Sequence, residues 1–395
     1  MSSKWRVLAV ASLVHGTLIG GAYMSLPPLF EMMTVQSGWS LATLERAWSL
    51  IPLGSCLSAL ITAFLFGRYP QGKILRLAIL ITIASTLARS FAPDASLYAL
   101  SLFTFGIGTG ALLVVLTNLV SQSFSEEEIG SAQAIFFGSY ALGAAISIVT
   151  ADLLASYCDS WRAVPLLWGL LSILAALLVM FDRQYAKSSQ ENASHNTSQA
   201  IREPALWRYA FVYATFVGAY LGYAGLLPVQ LRLWGMSPSV ADTSMALSTL
   251  LFLVGAYIWG SLTDRIGYRR LTFICCMVAL AICAALIPAF ATSQTIMFII
   301  VVCVGLFSGA MTLFFPMMLE DKGISRENSS FSIGITTTAS YVGGFLVPFL
   351  AAPLAESCPS GAIYIFAVFF LLAGLGVPGV FERVSLRRAR FRIFS

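Results

Sequence analysis

The sequence predicts an all-α membrane protein with twelve transmembrane helices in two pseudo-symmetric six-helix bundles. Three observations carry that expectation. Of 395 residues, 58% are hydrophobic and only 10% charged, with a mean hydropathy of +0.83; a soluble domain has about 45–50% and about 25%. The apolar residues run in long unbroken stretches, as spanning helices require, rather than alternating as barrel strands do. Similar residues also recur at a shift of 200, as in Tyr23, Leu26 and Pro28 against Tyr223, Leu226 and Pro228. A soluble enzyme and an outer-membrane barrel are excluded.

Apolar runs bounded by charges and turn residues place spans near 6–33, 43–67, 74–92, 97–122, 130–153 and 162–181, then 207–230, 241–262, 271–290, 295–318, 329–355 and 361–381. Span 1 follows Lys4 and Arg6 as a secretory leader would. Its run from Val7 to about Met33 is too long for one and has no convincing cleavage site, so it is read as retained. Span 4 carries Gly106-x-Gly108-x-Gly110, which neither follows a strand nor opens a soluble helix. Small residues in an apolar span let backbones approach, and no nucleotide site is implied. Span 6 is nearly uniform from Ile173 to Met180. The stretch after it, with Asn192 and Asn196 in sequons, has nothing to bury and reads as a flexible connector.

The later spans repeat the earlier ones. Gly309-Ala310 of span 10 answers Gly110-Ala111 of span 4, and Ser340-Tyr341 with Gly344 in span 11 answers Ser139-Tyr140 with Gly143 in span 5. The division is therefore 1–182 as the first bundle, 183–206 as connector, 207–382 as the second bundle and 383–395 as a basic tail. Nineteen of the 23 Lys and Arg fall at one side, leaving Arg46, Arg89, Arg162 and Arg232 on the other. Cytoplasmic loops carry such an excess, so both termini are placed in the cytoplasm of a multi-pass protein of a bacterial inner membrane or equivalent plasma membrane. The net charge of +5 is topological and implies no nucleic acid. Five of seven Cys lie inside spans as small core residues, while Cys158 and Cys358 occupy loops of different bundles, so neither metal nor disulfide is expected. No nucleotide motif or catalytic constellation is visible: no enzyme and no cofactor is expected.

The loop after span 8 reads Gly260-Ser-Leu-Thr-Asp264-Arg265-Ile-Gly267-Tyr-Arg269-Arg270. It resembles the loop signature of the major facilitator superfamily, close to G-x-x-x-D-R-x-G-x-R-R, at all its fixed positions. The matching loop Gly67-Arg68-Tyr69-Pro70-Gln71-Gly72-Lys73 lacks the Asp. The resemblance covers the whole chain and implies that superfamily's fold. Gly38-Trp39-Ser40 is similar to its monocarboxylate and organic-anion branches. Asp264, Arg265, Gly267, Arg269 and Arg270 read as an inner gate, with Glu320 and Asp321 as acidic partners.

Spans 3, 6, 9 and 12 are nearly uniform and are expected to face lipid. Spans 1, 4, 5, 7, 10 and 11 hold Gly, Ser, Thr, Tyr and Pro and are expected to line the path. Tyr140, Tyr220 and Tyr341 fall near mid-depth with Tyr23 and Tyr223 about one turn outward, so the five ring one chamber or else only tie neighbouring helices. His15 is the one His inside a span and the proton-coupling candidate; a neutral hydrogen-bonding role is the alternative. Glu31, Arg46 and Asp152 read as an outer vestibule. No Asp or Glu is placed deep in an inner helix, which argues against cationic solutes.

Two bundles around a midplane site suit alternating access. The expected function is secondary active transport, by symport or antiport, of a small organic anion or neutral metabolite, coupled to protons, by a monomer in the lipid bilayer. A drug or amphipathic-compound exporter, a transport-deficient sensor or scaffold, and an intramembrane enzyme acting on lipid are the alternatives.

Overall fold

A computed structural model describes residues 3–65, 69–124, 129–181, 202–290, 293–324 and 329–377. Twelve helical segments follow one another: α1 Lys4–Ser37, α2 Leu41–Leu65, α3 Gln71–Ser90, α4 Ala95–Ser123, α5 Ile129–Tyr157, α6 Ala163–Phe181, α7 Pro204–Leu233, α8 Pro238–Ile266, α9 Arg269–Ala289, α10 Gln294–Met318, α11 Ser329–Ala351 and α12 Pro359–Leu375. Among the described residues, 9 helices are long and apolar enough to cross a membrane, and α6 and α12 each contain a shorter apolar helix. The protein is an all-helical integral membrane protein, and the twelve segments agree with the expected twelve spans.

Two boundaries move. Proline is tolerated in a helix's first turn, where its missing N–H has no partner to lose; Pro204 thus lets α7 begin three residues inside the expected connector. The chain breaks after Ala351, so the expected end of span 11 becomes a separate turn, Leu354–Ser357. Most of the connector, and the whole tail 383–395, lie outside the described residues. α1 is irregular: His15–Gly21 is π-helical and Pro27–Leu29 is a 3₁₀ turn. α10 likewise tightens to 3₁₀ at Gly309–Leu313.

The two runs of six helices pack alike. α2 lies on α4 as α8 lies on α10; α1 on α5 as α7 on α11; α3 on α6 as α9 on α12. Glycine explains the closest of these contacts. A Cβ on Gly106 would stand 2.1 Å from the Ile51 carbonyl oxygen, and one on Gly305 would stand 2.0 Å from that of Ser248. Neither position admits a side chain without parting the helices. Between the two runs, α2 meets α11 and α5 meets α8, while the Pro27–Leu29 turn meets α7. Exposed apolar residues are strung along α6 from Leu166 to Leu178, as expected, but also along α5 and α8, from Ile135 to Leu153 and Leu250 to Leu262.

Candidate functional site

At one end of the helices a single guanidinium joins both halves. Arg232 sits in the last turn of α7, with its side chain 6% exposed. Its Nη2 donates to both Asp242 oxygens at 2.9 and 2.8 Å, and its Nη1 lies 3.4 Å from Asp152 Oδ1 and 3.5 Å from Glu31 Oε2. Asp242, in the first turns of α8, is itself 3% exposed, whereas Asp152 and Glu31 are 24% and 50% exposed. The short turn through Gly235, at φ +90°, brings the Arg and its buried partner together across ten residues. Glu31 and Asp152 thus meet as read from the sequence, on an Arg that reading had not chosen. Arg46 stands apart, exposed and without an ion pair among the described residues. Trp39 packs on Tyr98 and Trp161 at the same end, which gives the Gly38-Trp39-Ser40 turn a structural role.

Below this network the halves enclose a cavity of about 10 Å³, room for one water-sized sphere. Tyr140 of α5 and Tyr220 of α7 line it, with Met24 and Pro28 of α1, Pro228 of α7 and Thr249 of α8. Tyr140 is within electrostatic range of Tyr220 and Tyr341, and Tyr23 of Tyr140 and Tyr341; Tyr223 is within range of Tyr220. The five tyrosines therefore form one connected group spanning both halves, although only two line the cavity. Among the described residues, the buried Tyr23 and Tyr223 hydroxyls have no hydrogen-bond partner.

His15 is 2% exposed. Its Nδ1–H donates to the Phe136 carbonyl at 2.9 Å, and the ring stacks on Phe136 at 4.2 Å, with Tyr140 at 5.8 Å. A carbonyl only accepts, so this contact fixes which nitrogen carries the proton. It ties α1 to α5.

The other end is braced within the second half. Gly267 caps α8 at φ +76°, in the left-handed region that glycine alone enters without strain, and its N–H reaches the Thr263 carbonyl. The chain then turns into α9, where Arg269 pairs with Glu320 and Arg270 with Asp321 at 2.9 Å. Tyr209 of α7 donates to the same Asp321 oxygen at 3.0 Å. The acidic partners are those the sequence suggested, but the contacts join α9, α10 and α7 of one half. The Asp264 backbone is helical and its side chain lies outside the described residues; Arg265 is exposed.

Three groups escaped the sequence reading. Glu45, one turn into α2 and so outside the helices expected to line the path, is fully buried. Its neighbour Arg46 is exposed, and adjacent residues of a helix point about 100° apart, so the two side chains face different surroundings. Arg89 is also buried: it donates to the Ala22 carbonyl at 3.2 Å and lies 4.3 Å over the Phe105 ring. Asp242 is the third; an acid one turn into α8, ten residues after an Arg, was the available signal. Cys158 and Cys358 are free. Among the described residues no group of three or more His, Cys, Asp or Glu is placed to hold a metal.

The profile of the Major Facilitator Superfamily matches residues 11–348 and 231–391, so the chain belongs to that family of transporters of small solutes. It is 24% identical over 305 residues, 75% of each chain, to a probable nitrate/nitrite transporter NarK2 of Mycobacterium tuberculosis. It is 23% identical to the sialic acid transporter NanX of Escherichia coli, covering 81% of this chain and 82% of that one. To a putative niacin/nicotinamide transporter NiaP of Bacillus subtilis it is 22% identical over 88% of each.

Proposed function

We propose that this transporter carries a small organic anion or neutral metabolite by alternating access, with bundles 1–182 and 207–382 rocking about the tyrosine-lined seam. The Arg232 network carries the reading: it links Glu31 and Asp152 of one bundle to Arg232 and Asp242 of the other, above a cavity too small for a solute. A transporter closed on one side needs such a removable tie. The relatives support a small anion or neutral metabolite, since nitrate, sialic acid and niacin are acids or their anions and nicotinamide is a neutral amide. Exposed Arg46 is suited to attract an anion at the mouth.

In this reading both termini are cytoplasmic, the Arg232 end faces outward, and a monomer works in the inner or plasma membrane. Transport is coupled to protons with His15 as carrier, and the Asp264–Arg270 loop with Glu320 serves the inner gate. Purified protein in liposomes is tested by counterflow of labelled nitrate, sialic acid and nicotinate under imposed pH gradients. Flux of one of them, with gradient-driven accumulation lost in His15→Ala while exchange persists, is the expected result. Flux of an apolar dye alone would favour drug export, and no flux in any pool a scaffold. Reporter fusions placing the termini on opposite faces would overturn the topology.

A further inference from the structure

The seam between the halves holds a carboxyl group that the transport cycle described above does not use. Glu45 lies one turn into α2, with both oxygens shielded from solvent, and among the described residues neither has a hydrogen-bond or ion-pair partner. It reaches across to the other half: a Cβ on Gly225 of α7 would stand 2.9 Å from Glu45 Oε2 and 3.0 Å from Trp48 Nε1. Only a residue without a side chain lets the carboxyl and the indole seat against the α7 backbone. Trp48 is itself fully buried, stacked on Tyr23 at 4.2 Å.

Among the described residues the surroundings offer no counter-charge. Arg46 on the same helix is exposed, Arg89 of α3 is committed to Ala22 and Phe105, and Arg232 of α7 is held by three carboxylates. Among the described residues, the phenol Tyr23 of α1 lies within electrostatic range of Glu45, and Tyr140 of α5 and Tyr341 of α11 lie within range of Tyr23. Phenols are neutral at physiological pH. An ionised carboxylate removed from water with neither partner nor cation is among the costliest states a protein can hold, and such a group takes up a proton instead.

We propose that Glu45 is a proton-dependent seal: the two halves close at the Arg232 end only when its carboxyl, seated against Gly225 and Trp48, carries a proton. This rests on the alternating-access reading. Closure then binds one proton, so by linkage the ratio of closed to open protein falls as pH rises, by up to about tenfold per pH unit. The Arg232 network holds the same end through its own ion pairs, so the Glu45→Gln arm of the test is what separates the two devices. His15 stands elsewhere, between α1 and α5, and is not part of the seal.

The test reads distance rather than flux. Spin labels at Val35→Cys and Leu233→Cys, exposed positions at the Arg232 end of either half, are introduced with the native cysteines replaced by Ser. Pulsed dipolar spectra are recorded in lipid nanodiscs from pH 5.5 to 8.5. The short distance is expected to dominate in acid and give way to a longer one as pH rises. Glu45→Gln should hold the short distance throughout, Glu45→Asp should restore the titration, and His15→Ala should titrate as the parent does. A Glu45→Gln protein that titrates like the parent, a parent that does not respond, or a response of opposite sign would each overturn the seal. Counterflow on the same preparations keeps the readings apart: flux without a Glu45-dependent titration rejects the seal alone, and the titration without flux rejects transport alone.

Discussion

At one end of the helices Arg232 gathers three carboxylates from both halves, while at the other Arg269 and Arg270 take one each from their own half. The residue types are the same, but the connectivity differs, and connectivity decides what an ion pair does. A pair inside one half must survive any movement of the halves and so contributes rigidity. A pair between halves has to be broken whenever they separate, so its strength sets how often they do.

The largest effect should follow from Arg232→Gln, which strands the buried Asp242. Removing one partner of a buried pair costs about 3–5 kcal/mol; Arg232 and Asp242 belong to the same half, so that cost falls on stability, while closure loses the two ties to Asp152 and Glu31 of the other half. A thiol at Ala224→Cys, beside the cavity, should then react several-fold faster with a polar reagent added at the Arg232 end; an unchanged rate would show that the network holds nothing shut. Arg270→Gln should behave differently. Its pair with Asp321 is nearly buried, so about 1–3 kcal/mol of stability should be lost. Thermal unfolding should fall by several degrees with the Ala224→Cys rate unchanged. A changed rate there would make the brace a gate, and Asp264→Asn, read by thiols at that mouth, asks the same of the loop before it.

Within the Arg232 network, exposure ranks the remaining carboxylates. Asp152→Asn, at 3.4 Å and 24% exposed, should change the Ala224→Cys rate by no more than a few-fold, about 1 kcal/mol or less. Glu31→Gln should be the smallest, because a half-exposed partner at 3.5 Å is screened by water and salt. The reverse order would mean that Glu31, not Asp152, is the stronger tie between the halves.

Much of the fold was legible because a lipid-crossing helix must be apolar along its length, and because two similar halves repeat their small residues. Gly106 and Gly110, read as contact points, do sit against the α2 backbone. The register of the repeat was less legible: the glycine pressed on α7 is Gly343, one residue before the Gly344 that sequence alignment pairs with Gly143. Charges were read by side of the membrane, which found Glu31 and Asp152 but not what they bind. Whether Glu45 or Arg46 turns inward depends on helix rotation, and hydropathy does not report it. Likewise, the depth of His15 was evident in the chain, whereas its carbonyl partner 121 residues away was not.

The glycine contacts also govern where this protein can give way. With α2 clamped to α4 near Gly106 and α8 to α10 near Gly305, backbone rests on backbone, and sliding there would drive atoms into one another. Where the halves face each other the fit is looser: a Cβ on Gly344 would stand 3.2 Å from Pro52, and one on Gly138 would stand 3.9 Å from Leu253. Slip is thus confined to a single fault plane, like cleavage in a layered crystal, and both carboxylate devices described here lie along it.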